Sequence, residues 1–170
     1  HHLAQHCERN NNFEKAVEIY KQAQNIAKNS IHYGPDNGLE LAKCITSFAA
    51  HSDEDLAKKL TLEVLSSLEN IMTEFKNDQR VDVKVKLVEA RVHHILKDEE
   101  KTQSILEAAD KLIKSMSDIS DPAMVMELAK AYVNTDNIAK AKTILQELGE
   151  KYADDEKMLA EIKKIVANIE

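Results

Sequence analysis

Residues 123–155 read AMVMELAKAYVNTDNIAKAKTILQELGEKYADD, and the fold is decided by how this stretch repeats. Apolar residues recur at three- and four-residue steps: Val125, Leu128, Ala129 and Tyr132, then Ile138, Ala141, Leu145 and Leu148. Such steps return a side chain to the same face of an α-helix. A polar break, Asp136-Asn137, separates the two runs. The stretch therefore reads as a helical hairpin, with helices over about 122–134 and 137–151. Asp121 is a natural N-cap for the first helix, and Pro122 suits its first turn.

The same periodicity extends outward over almost the whole chain. It predicts helices over 13–28, 38–51, 53–77, 80–97, 99–117 and 155–169, with part of a helix before Asn10. Asn10-Asn11-Asn12 is a turn, because Asn tolerates left-handed backbone at a helix end. Residues 31–38 hold two of the three glycines and one of the two prolines and read as a loop; 117–122 is a second break. So few breakers exclude the turns of a β-sandwich and the loops of an α/β enzyme. The fold class is all-α. Short breaks make successive helices antiparallel neighbours.

Against the 123–155 hairpin, three further units align. Leu3-Ala4 and Cys7 match the middle of its first helix; Phe13, Ala16, Tyr20 and Ala23 match its second. Leu41-Ala42-Lys43-Cys44-Ile45 parallels Leu128-Ala129-Lys130-Ala131-Tyr132, with Ala57 as the small residue after a longer turn at 51–55. Ala90, Thr102, Leu106 and Ala109 align with Ala129, Ala141, Leu145 and Leu148. The pattern resembles the tetratricopeptide repeat, a helix-turn-helix of about 34 residues. Here Ala129 and Ala141 stand at the family's two small positions, Asp136 replaces its turn glycine, and Ala153 replaces its closing proline.

The resemblance implies one domain over residues 1–170: a superhelix of about four antiparallel hairpins, closed by a solvating cap helix at 155–169. The first hairpin is short by half a helix, so the register predicts a longer parent protein that continues upstream of His1.

Charge and composition narrow the function. A net charge of −7 and a pI near 5.5 lack the basic footprint of a nucleic-acid binder. No apolar run approaches the ~20 residues of a membrane span, and no signal-peptide pattern opens the chain. Cys7 and Cys44 form no CxxC pair and fall on packing faces of helices, which points to a reducing, cytoplasmic setting. The histidines carry no HExxH and no zinc spacing, and His93-His94 point about 100° apart on a helix, as surface or groove residues. No metal, cofactor or catalytic residue is expected. The acidic clusters at 53–55 and 98–100 sit at helix starts, where they favour the helix dipole.

What remains is a groove. The resemblance implies that the first helix of each pair lines a concave surface where partner peptides lie. The position after the small residue points into it: Gln5, Lys43, Arg91 and Lys130. One turn further stand Arg9, Ser47, His94 and Asn134, and Met126 lies one turn before Lys130. Three cations in an acidic protein would hold a negatively charged peptide or carboxylate. The leading expectation is thus a non-catalytic scaffold for a protein partner, with neither nucleic acid nor membrane involved. Association of copies through the convex face or the ends stays open. Residues around Ser30-Ile31-His32 and Leu41-Ala42-Lys43-Cys44 are also similar to helical-repeat tails of bacterial response regulators, which implies a signalling output role. A ligand-sensing helical domain is the third reading, and it needs a closed pocket.

Overall fold

The computed structural model describes residues 2–28, 34–116, 121–167 and 169. Among them the chain forms nine α-helices and no strand. The helices are α1 His2–Arg9, α2 Phe13–Lys28, α3 Asp36–Ala50, α4 Glu54–Glu74 and α5 Gln79–Ile95. They continue with α6 Glu99–Ser115, α7 Pro122–Asn134, α8 Ile138–Lys151 and α9 Glu156–Ala167. None of these helices is long and apolar enough to cross a membrane.

The all-α expectation holds, with shifted ends. Helix α3 starts at Asp36, so Asp36, Asn37 and Gly38 are helical and not loop. Pro35 already has helical backbone (φ −66°), and its carbonyl accepts the Leu39 N–H at 3.0 Å. Residues 29–33 of that loop, and 117–120 of the second break, lie outside the described residues. Helix α4 ends at Glu74, before the expected 77, and Asp78 caps α5 by accepting from the Arg80 and Val81 amides.

Three hairpins share one turn. Asn11, Lys97 and Asp136 have left-handed backbone, with φ of 57°, 61° and 58°. The next amide in each case donates back into the preceding helix: Asn12 to Cys7, Asp98 to His93 and Asn137 to Tyr132, all at 2.9 Å. That same next residue then caps the following helix, accepting from the amides of Lys15, Lys101 and Lys140. One geometry satisfies the last carbonyls of one helix and the first amides of the next. The α3–α4 turn is built differently: it has no left-handed residue, and Asp53 caps α4 through the Leu56 amide at 2.9 Å.

The small positions of the sequence register lie in the interior. Ala4 and Ala16, Ala42 and Ala57, Ala90 and Thr102, and Ala129 and Ala141 are all buried. Helix α3 packs against α2, α4 and α5; α5 also packs against α4, α6 and α7; α7 packs against α6 and α8, and α9 against α8. Two apolar cores result, and they meet on α5. Val81, Val85, Val88 and Val92 join the core of α1–α4, whereas Val83, Leu87 and Ala90 join that of α6–α9. Residues two apart on a helix point nearly opposite ways, so an alternating sequence supplies both faces.

Candidate interaction groove

Helices α3, α5 and α7 touch in succession, and the expected groove residues lie along them. Lys43, Arg91, Lys130 and Asn134 line one cleft of about 240 Å³, together with Thr46, Leu87, Val88, Glu127 and Ala131. Arg91 and Asn134 also line a neighbouring cleft of about 580 Å³, which holds His94, Lys97, Glu99, Lys58 and Glu54. Arg91 therefore stands at the junction of the two.

The structure brings most of the expected set together. Ser47 belongs to it through its hydroxyl, which accepts from Arg91 Nη1 at 3.1 Å. His94 stands between Glu99 Oε1 at 3.1 Å from Nδ1 and Asp136 Oδ2 at 3.4 Å from Nε2. Gln5 and Arg9, on α1, line neither cleft. Met126 is a correction. It stands three residues before Ala129 and so shares that residue's inward face; at 3% exposure it belongs to the second core. Its neighbour Glu127 faces the groove instead.

The row of cations is also less basic than the sequence implies. Lys43 Nζ lies 3.1 Å from Glu40 Oε1 and 3.9 Å from Glu127 Oε1, and Lys130 Nζ lies 3.2 Å from Glu161 Oε1. Lys84 is tied to Asp36 at 2.9 Å. Burial draws the Lys84 pKa down, but Asp36, with Glu127 and Glu40 nearby, more than offsets this and leaves it raised. Sequence reasoning missed these carboxylates, although it had a signal. Glu40 precedes Lys43 by three residues, a spacing that pairs side chains on a helix, whereas Glu127, three before Lys130, reaches Lys43 on another helix.

In α5 the matching position is Val88, so Arg91 has no acid on its own helix at that spacing. Among the described residues, no carboxylate lies within 4.0 Å of its guanidinium. Burial pushes the Arg91 pKa down from its ordinary value, and the Glu8 charge partly opposes this. A guanidinium carries five N–H donors, and Ser47 accepts from one of its nitrogens. The cleft thus holds a partly desolvated cation with spare donors.

Among the described residues, no group of three or more His, Cys, Asp or Glu side chains could hold a metal ion. Cys44 is fully buried, and burial with Glu8 alongside pushes its thiol pKa up, which keeps it un-ionised. His93 is buried and not a surface or groove residue. Three residues after Ala90, it takes the inward position that Tyr132 takes after Ala129. The chain matches no family model, no curated protein and no solved structure.

Proposed function

We propose that this chain is a non-catalytic, tetratricopeptide-like interaction module that holds an acidic peptide segment of a protein partner along α3, α5 and α7. The repeated turn after α1, α5 and α7, the buried small pairs and the contact of successive first helices support the repeat architecture. In it α9 is the cap, with Ile162 and Ile165 turned into the second core and lysines outward. The free thiols Cys7 and Cys44 fit a reducing, cytoplasmic setting.

The observation that carries the binding site is Arg91. Keeping a partly desolvated guanidinium without a carboxylate costs stability, and a ligand carboxylate or carbonyl would recover that cost. Leu87 and Val88 on one side and Ile95 and Leu96 on the other give apolar contact to flanking side chains. An extended segment with an acidic residue between apolar ones fits this chemistry.

The test is a peptide selection. A displayed random library panned on the wild-type chain should enrich peptides with Asp, Glu or a free C-terminus beside apolar residues. Arg91→Gln should weaken the winners by about tenfold or more, the worth of one charge-assisted hydrogen bond in a partly dry site. Equal binding to the variant, or no enrichment of acidic peptides, overturns the reading.

A further inference from the structure

The groove-side helices are joined by ion pairs. Lys84 on α5 reaches Asp36 on α3, and Lys130 on α7 reaches Glu161 on α9. Lys43–Glu127 differs in kind. It runs from α3 to α7 at 3.9 Å and passes over α5, which packs against both. Both residues also line the cleft that contains Arg91. Two helices kept apart by a third can separate further by bending of the stack about that third helix. Any such bending must break this pair.

Each partner has a replacement on its own helix. Lys43 already touches Glu40 at 3.1 Å, the shorter of its two contacts. Glu127 lies three residues before Lys130, within reach on a helix surface. Opening therefore strands no charge. The two side chains are 37% and 39% exposed, and a pair so wet shifts a two-state balance by about fivefold at most. That is enough to bias the groove and too little to lock it.

We propose that Lys43–Glu127 is an electrostatic strap across the Arg91 cleft, opened by bending at α5 and displaced by an acidic segment that takes Lys43 from Glu127. The displacement step rests on the binding role given above. The strap itself can be tested with no partner present, so the two ideas fail separately.

The test is a distance measurement by double electron–electron resonance on the full chain. Spin labels go on Gln22→Cys in α2 and Lys163→Cys in α9, both exposed positions at opposite ends of the stack. Cys7→Ser removes the half-buried thiol, and buried Cys44 stays. In low salt the distance distribution should be short and narrow. Lys43→Met, Glu127→Gln and the double variant should each lengthen it by the same few ångströms, because all three remove one pair. Salt near 1 M, where the screening length is about 3 Å, should do the same to the unsubstituted strap. Circular dichroism checks that helix content is kept. If one substitution costs helix, the other single variant decides: it should lack the salt response of the wild type, which Lys84–Asp36 and Lys130–Glu161 would still give if they were its source. A distance indifferent to salt, or lengthening that adds between the two single variants, overturns the strap.

Discussion

At the scale of single residues, His93 shows what burial does to an ionisable group. Its side chain is 8% exposed, and its nitrogens stand 4.0 Å from Glu89 and 3.8 Å from Asp98, too far for hydrogen bonds. Burial, helped by Lys101, lowers its pKa below the ordinary 6.5, against the pull of Glu89 and Asp98. The unfolded chain therefore binds the proton first as pH falls. Stability should drop as pH goes down through 6.5 and level off below the folded-state pKa. Urea midpoints at closely spaced pH values from about 7.5 to 5 should fall more steeply for the wild type than for His93→Leu. Equal slopes would mean that His93 is not the proton acceptor concerned. The register of small residues already points this side chain inward, three positions after Ala90. Its polarity argues for the surface, and in the structure the register wins.

Other residues resist reading from sequence for equally physical reasons. Met126 and Glu127 differ by a rotation of about 100° on the helix, so a register error of one residue exchanges core for groove. Lys97 gives no hint that it adopts left-handed backbone. The hydrogen bonds on both sides of it impose that conformation, whereas Asn11 and Asp136 favour it by themselves. The isolation of Arg91 depends on Val88 and on distances to other helices, and only the latter needed the fold.

At the scale of elements, two helical glycines separate close approach from helix propensity. A Cβ on Gly38 of α3 would meet Ile71 Cδ1 at 3.0 Å and Gln24 Nε2 at 3.4 Å, so an alanine fits only if these side-chain ends give way by a few tenths of an ångström. Gly149 of α8 has Ile162 Cδ1 at 3.8 Å and Leu159 Cδ2 at 3.9 Å, an ordinary contact. Gly38→Ala should therefore gain less stability than Gly149→Ala, because displacing Ile71 and Gln24 offsets the gain in helix propensity. Gly149→Ala should add up to about 1 kcal/mol by removing a flexible residue from a helix. Denaturant titration of both variants checks this, and a gain at Gly38 equal to that at Gly149 would refute the tighter packing seen at Gly38. Helix existence was legible throughout because periodicity and caps agree. The ends moved by two or three residues where local bonding, as at Pro35, added a turn that composition assigned to the loop.

At the scale of the whole molecule, α5 is the element on which both halves depend. Val81-Asp82-Val83-Lys84-Val85-Lys86-Leu87 alternates like a strand, and the five valines of the whole helix disfavour it on propensity alone. Burial on two opposite faces overrides that preference: Val85 packs with the core of α1–α4, Val83 with that of α6–α9. Two cores on opposite faces of one helix unfold together only as far as that shared wall couples them. Native-state hydrogen exchange can map this coupling. Leu145→Ala, at a site 1% exposed in the second core, should cost about 2–5 kcal/mol and speed exchange chiefly in α7–α9. Val64→Ala, fully buried in α4, should act chiefly on α1–α4. Val85→Ala should instead speed exchange in both halves, since loosening α5 frees the face that carries Val83 and Leu87 as well. If its effect stopped at α4, the two cores would be neighbours in contact, and α5 would not be the wall that makes them one folding unit.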